Sequence, residues 1–265
     1  MKALVDVAPS PEQLALFSRI KPGVEVIRGA AGSGKTTTAL LKLRAAVGFY
    51  VQRRKRQSAR GAVRVLVLTF NRTLRGYINE LARRQFAPDG GVELEVSTFS
   101  SWARELLGKP PVMDGAQADA MIRSFASHTS IDPDFAVAEA NYVLGRFLPE
   151  DLVDYLGVRR DGRGSKPRME RALREVLLNE VVYPYVERKN SLGLADWNDL
   201  AIDLAQQSRG AYDVIVVDET QDFSANEIRA VMSQVAREHT VTFVLDTTQR
   251  IYSRSGFSWQ EVGIT

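Results

Sequence analysis

Residues 29–36 read Gly-Ala-Ala-Gly-Ser-Gly-Lys-Thr, the full pattern G-x-x-x-x-G-K-[ST], between an apolar run at 24–27 and a helix-forming stretch at 37–47. A strand that breaks into such a turn and resumes as a helix is a phosphate-binding loop. Its glycines let backbone N–H groups close around a polyphosphate, Lys35 reaches the β- and γ-phosphates, and the Thr36 hydroxyl offers a ligand to Mg²⁺. The positive end of the helix dipole points at the same place. Gly29, Ala30, Ala31, Gly32, Ser33, Gly34, Lys35, Thr36 and Thr37 are therefore expected to surround the phosphates of a nucleoside triphosphate.

Buried parallel strands read as short, continuous apolar runs, and four more follow the first, at 63–68, 92–96, 212–217 and 241–245. Most alternate with helical patterns. Residues 72–86 put Leu74, Tyr77, Ile78 and Leu81 on one face, and 224–237 do the same with Ile228, Val231, Met232 and Val235. The alternation predicts an α/β fold, a parallel sheet with helices on both faces. Between residues 108 and 195 strand-like runs vanish and helical patterns take over, around 116–127, 136–147 and 168–186. The expected organisation is a sheet domain in two segments, 1–107 and 196–265, with a mostly helical subdomain inserted at 108–195. Pro110-Pro111 marks its entry, residues 157–167 form an internal loop, and Asp196 with Asp199 caps the helix that leads back to the sheet.

With 265 residues, 45% of them apolar, the chain can bury a sizeable core as one large domain or two modest ones. Nothing in it approaches the ~18 to 20 apolar residues of a membrane helix, and its start lacks the apolar core of a signal peptide, so a cytoplasmic protein is expected. The absence of cysteine excludes disulfides and thiolate metal sites, and His128 and His239 are the two imidazoles. A metal here is expected to be Mg²⁺ on oxygen ligands. Net charge is +3, yet residues 42–84 hold twelve basic residues against one acid, Glu80. That block, with Arg53-Arg54-Lys55-Arg56 inside it, is the footprint expected of phosphate-backbone binding.

The run 212–217 ends in Asp218-Glu219-Thr220-Gln221-Asp222, and ligands of open α/β sheets bind where the strands end. Asp218 can there meet the Mg²⁺ held by Thr36, and Glu219 can orient or deprotonate an attacking water. The run 241–245 ends in Asp246-Thr247-Thr248-Gln249, which places an amide, Gln249, to sense the γ-phosphate. Asp246 either supports that contact or caps a helix.

Together, residues 29–36, 218–222 and 246–249 resemble motifs I, II and III of the UvrD/Rep family of superfamily 1 helicases. Gln13, sixteen residues before Gly29, is similar to that family's adenine-reading glutamine. Leu68-Thr69-Phe70-Asn71 resembles motif Ia, and Ser97-Thr98-Phe99-Ser100 the Thr-Phe-His motif that follows it. The resemblance implies a RecA-like ATPase domain, with Lys35, Glu219 and Gln249 in catalysis, ATP and Mg²⁺ as ligands, and translocation 3′ to 5′ on single-stranded DNA. It also implies DNA contacts from Thr69, Phe70, Asn71, Arg72, Thr98, Phe99 and Tyr252. The chemistry agrees, since Thr69 and Thr98 carry hydroxyls and Phe70 carries a face on which a base can stack. For Phe70 and Phe99, core packing stays open as the other use.

The sequence departs from the family in three places. Arg254 stands where a stacking tryptophan is usual, with Phe257 or Trp259 nearby, and Ser100 replaces the histidine. Motifs IV to VI and the second RecA-like domain have no counterpart in 1–265, so the resemblance covers about the first half of a family member. The chain is then expected to bind ATP and hydrolyse it slowly without the arginines of that second domain. Two other uses of the same motifs stay open: a nucleotide-gated binding module for nucleic acid or protein, and an RNA-directed helicase.

Overall fold

The computed structural model describes residues 20–30, 33–58, 61–69, 75–76, 78, 91–160, 168–246 and 256–264, with Thr36 described for its backbone alone. The chain divides into two compact units. A sheet unit comprises Met1–Phe99, Arg209–Gln221 and Gln234–Gln249, and a helical unit comprises Ser100–Ser208, Asp222–Ser233 and Arg250–Thr265. The expected insertion, 108–195, lies within the helical unit, which extends beyond it on both sides.

In the sheet unit β1 (Gly23–Gly29) leads through the phosphate loop into helix α1 (Lys35–Arg56), followed by β2 (Val63–Leu68), β3 (Val92–Ser97), β4 (Tyr212–Val217) and β5 (Val235–Asp246). All the pairings are parallel, in the order β1-β5-β4-β2-β3. This is the α/β architecture of a P-loop NTPase. Burial follows position in the sheet. Central β4, Tyr-Asp-Val-Ile-Val-Val, is buried at every residue, whereas edge strand β1 is half-buried and carries Glu25 and Arg28. Helix α1 lays Leu40, Leu43, Val47 and Tyr50 against Val63, Val65, Val67, Val214, Val216 and Val244. Each such side chain contributes about 1.5 to 3 kcal/mol when removed from water.

All five expected strands are present, but two boundaries differ for physical reasons. Helix α1 runs nine residues past the expected end at Val47, so Arg53, Arg54, Lys55 and Arg56 form its last turn, where cations offset the negative end of the helix dipole. The helix expected over 224–237 stops at Ser233, and Val235 is already strand, paired with Tyr212. The Gln234 carbonyl accepts N–H groups from Ala211 (2.8 Å) and Tyr212 (3.1 Å), so sheet pairing overrides the helical spacing that includes Val235. Of the helix expected over 72–86, Arg75, Gly76 and Ile78 are described, and Ile78 is buried in the sheet unit's core.

The helical unit contains α2 (Phe99–Leu106, its first residue belonging to the sheet unit), α3 (Gly115–Ala126), α4 (Pro133–Arg146), α5 (Arg171–Val176), α6 (Tyr183–Ser191), α7 (Trp197–Ala205) and α8 (Ala225–Ser233). Its core joins Ile122, Val137, Ala140, Val143, Leu177, Val181 and Val182. Local sequence starts these helices. Asp114 caps α3 in a reciprocal box with Gln117, and Asp132 caps α4 ahead of Pro133. The helix expected at 168–186 starts at Arg171 and runs without a break to Ser191, but it is not uniform, because Leu177–Val182 between α5 and α6 is a π-helical stretch.

Asp196 caps α7 as expected, accepting from the N–H groups of Asn198 (2.8 Å) and Asp199 (3.0 Å), while its own N–H donates to Asp199 Oδ2 (2.7 Å). Lys189, 2% exposed, donates to Asp196 Oδ2 at 2.9 Å and to Asp199 Oδ1 at 2.7 Å. The Tyr185 hydroxyl donates to Asp196 at 2.5 Å. Burial alone would raise the Asp196 carboxyl, but Lys189 and Tyr185 together hold it below the ordinary aspartate range. Burial, followed by the Asp196 charge, raises Asp199. At the neck of this region the Met113 N–H donates to the Ala195 carbonyl at 2.8 Å.

Candidate nucleotide site

Strand register aligns the chemistry. Gly29, at the end of β1, pairs with Asp246 at the end of β5, and Leu68 of β2 pairs with Val217 of β4. The next residues continue the match, since the Asp218 N–H donates to the Leu68 carbonyl at 2.9 Å and the Thr69 N–H to Ser97 at 3.0 Å. The phosphate loop, Asp218, Glu219 and Asp246 therefore meet at the carboxyl edge of the sheet, where ligands of open α/β folds bind.

Two glycines make the loop possible. A Cβ on Gly29 would sit 2.5 Å from Ser33 Oγ and 3.1 Å from Lys35 Cγ, so any side chain would fill the cradle. Gly34 takes φ 79°, the left-handed region, to start α1. The Ala30 carbonyl accepts from the Ser33 N–H (3.2 Å) and from Lys35 Nζ (2.7 Å). Lys35 also pairs with Asp246 Oδ2 at 3.2 Å. Its ammonium therefore lies beside the loop, held by the Ala30 carbonyl and the Asp246 carboxylate. Thr37 follows in the first turn of α1, half-buried.

Asp218 is 3% exposed and accepts from Thr69 Oγ1 at 3.1 Å. Burial first, then the Glu219 charge, pushes its carboxyl above the ordinary aspartate range. A buried carboxylate crowded by a second acid and held by the Thr69 hydroxyl and a backbone N–H is suited to a cation. Glu219 takes φ 51°, and its carboxylate accepts from Gln221 Nε2, whose Oε1 in turn accepts the Asp246 N–H at 3.0 Å. Among the described residues no three His, Cys, Asp or Glu side chains gather as a metal cage. Mg²⁺ at a phosphate loop needs none, because one carboxylate and one hydroxyl suffice beside phosphate and water oxygens. The cradle at Gly29, with Asp218 at the same sheet edge, fits a magnesium nucleotide.

Several expected site residues have other surroundings or lie outside the described residues. The Thr69 hydroxyl, expected on nucleic acid, is buried and is donated to Asp218. The Phe99 ring is 3% exposed, which leaves packing rather than base stacking as its use here. Thr98 is half-buried. Gln13, Ala31, Gly32, Phe70, Asn71, Arg72, Gln249 and Tyr252, with the Thr36 side chain, lie outside the described residues. Sequence reasoning missed Thr69 and Gln221 as partners of the two acids. The signal for Thr69 was its place at the end of a strand beside β4, and for Gln221 its spacing of two from Glu219.

Among the described residues, four side chains of the basic block pair with acids of their own unit. Lys42 pairs with Glu25, Arg53 with Glu238 (2.5 Å), and Arg64 with Glu93 (3.4 Å) while lying over the Tyr212 ring. Arg54 makes a two-pronged contact with Asp213 (2.9 and 2.8 Å) and also donates to the carbonyls of Gly61 and Ala62. These four anchor α1 and β2 to the sheet, whereas Arg44, Lys55 and Arg56 are exposed.

Fold and site together define a P-loop protein that binds nucleotide, of the ATPase type. The chain belongs to the AAA domain family, whose model matches residues 12–255, a domain found in UvrD/Rep-like superfamily 1 helicases and related P-loop proteins. Comparison with curated proteins gives no match. Among the described residues no helix is long and apolar enough to cross a membrane.

Proposed function

We propose that this chain is the ATP-binding and ATP-hydrolysing part of a UvrD/Rep-like DNA helicase or translocase that moves 3′ to 5′ on single-stranded DNA. The reading is supported above all by the convergence of Lys35, Asp218, Glu219 and Asp246 on the sheet edge that carries the phosphate loop. Lys35 holds the terminal phosphates once it leaves Ala30 and Asp246. Asp218 and Thr36 hold Mg²⁺, which when bound neutralises charge on the phosphate oxygens. Glu219 takes the proton of the attacking water. Gln13 reads adenine, and Gln249 links the γ-phosphate to the DNA side, where Phe70, Asn71, Arg72, Thr98 and Tyr252 meet the strand.

Glu219→Gln is expected to lower single-turnover ATP hydrolysis by about 10² to 10⁴ while nucleotide binding persists. Phosphate release beside a fluorescent-nucleotide titration measures both, and unchanged hydrolysis would remove Glu219 and the reaction assigned to it. On a 3′-tailed duplex, ATP turnover without strand separation would favour the nucleotide-gated binding module. Preference for single-stranded RNA over DNA in competition would redirect the motor to RNA.

The raised Asp218 carboxyl gives a pH dependence of known sign. The folded protein keeps this proton at pH values where the unfolded chain has lost it, so the contribution to stability of the ligand-free protein falls as pH rises through the folded value. A cation needs the ionised form. Mg·ATP is therefore expected to raise the melting temperature less in acid than at neutral pH, as differential scanning fluorimetry would show. An equal shift at both would separate Asp218 from the cation.

A further inference from the structure

Gln221, 3% exposed, has no part in the reaction above, yet both ends of its amide are engaged. Its Oε1 accepts the Asp246 N–H at 3.0 Å, and its Nε2 donates to Glu219 Oε2. The orientation is fixed by chemistry, because a backbone N–H requires the amide oxygen and so leaves the NH₂ facing the carboxylate. Asp246 is itself held in register, paired with Gly29 of β1. Glu219 is less secure by itself. At φ 51° it occupies the left-handed region, which costs a non-glycine residue about 1 to 2 kcal/mol and persists where surrounding bonds over-determine it.

We infer that Gln221 is a positioning residue that ties the Glu219 carboxylate to the backbone of β5 and so aims it at the attacking water. The inference rests on the reading of Glu219 as the base. The tie runs to the Asp246 N–H rather than to the Asp246 carboxylate, which is the group paired with Lys35. When a triphosphate draws Lys35 away, the Asp246 side chain loses that ion pair while its N–H stays in the bridge. The base therefore keeps its aim through the exchange of partners that substrate binding requires.

Two substitutions in the whole chain separate the ends of the bridge. Gln221→Met keeps length and apolar burial but loses both bonds, whereas Gln221→Glu keeps an acceptor for the Asp246 N–H and loses the donor to Glu219. Both are expected to lower kcat by about 10- to 100-fold, the cost of misplacing a catalytic group, with the Kd for Mg·ATP unchanged. In the ligand-free protein, hydrogen exchange at the Asp246 amide accelerates in Gln221→Met and not in Gln221→Glu. In a Glu219→Gln background, Gln221→Met causes no further loss, because the two residues act as one unit. If Gln221→Glu does not fold, as judged by its melting curve, Gln221→Met alone decides.

Wild-type kcat in a folded Gln221→Met protein, a parallel loss of ATP affinity and kcat, or unaltered Asp246 exchange in that variant would overturn the inference. Wild-type turnover abolished by Glu219→Gln, beside normal Gln221 variants, would sink this inference and leave the proposed reaction standing. Full turnover in Glu219→Gln would sink both.

Discussion

A Lys189→Met variant is expected to lose about 3 to 5 kcal/mol of folding stability, the cost of removing one member of a buried ion pair. Lys189 is 2% exposed and donates to both Asp196 and Asp199. Methionine fills the space but leaves Asp196, itself 3% exposed, with the Tyr185 hydroxyl and two backbone N–H groups and no cation. Against the ~5 to 15 kcal/mol that holds a typical domain together, this is a large fraction. Denaturant unfolding of the whole chain measures it, and Asp196→Asn added to Lys189→Met should recover part of the loss by removing the stranded charge. A loss below about 1 kcal/mol would show that Asp196 finds other compensation, through water or protonation.

Lys35→Met is expected to weaken Mg·ATP binding by about 10- to 100-fold, corresponding to one or two hydrogen bonds from a charged donor to phosphate. In the ligand-free protein the same change removes the Ala30 and Asp246 contacts. Asp246 is 7% exposed, so its carboxylate loses a close cation in a dry setting. Nucleotide affinity therefore falls, and ligand-free stability falls with it. Titration calorimetry and a melting curve on one preparation separate the two effects, and full ATP affinity would take Lys35 out of the phosphate site.

What was legible followed from local patterns. The phosphate loop, the largely apolar β4 and the Asp196–Asp199 cap each need only a few neighbouring residues, so their spacing reports them directly. The first half of β5 was not legible, because Arg237, Glu238 and His239 lack the apolar signature and lie in the irregularity between Val235, paired with Tyr212, and Thr240, paired with Val214, on a strand distant in sequence. The last turn of α1 was hidden for a related reason. Arg53, Arg54, Lys55 and Arg56 read as a charge run, and the acids that pair with Arg53 and Arg54 are Glu238 and Asp213, far along the chain. Thr69 and Gln221 show the same limit within the site. A hydroxyl or amide advertises what it can bond, while its partner is set by which strands lie side by side.

The π-helical stretch at Leu177–Val182 acts as a phase shift in an otherwise continuous helix. Each residue turns an α-helix by about 100°, so the wider loop of hydrogen bonds offsets everything after it relative to everything before it. Leu177, Leu178, Val181 and Val182 stay in the apolar core, and three residues later Tyr185, then Lys189, reach Asp196. One continuous segment thus serves two addresses, a greasy one and an ionic one. The spacing between them is a length the chain must keep to the residue, even though most side chains within it are ordinary aliphatics.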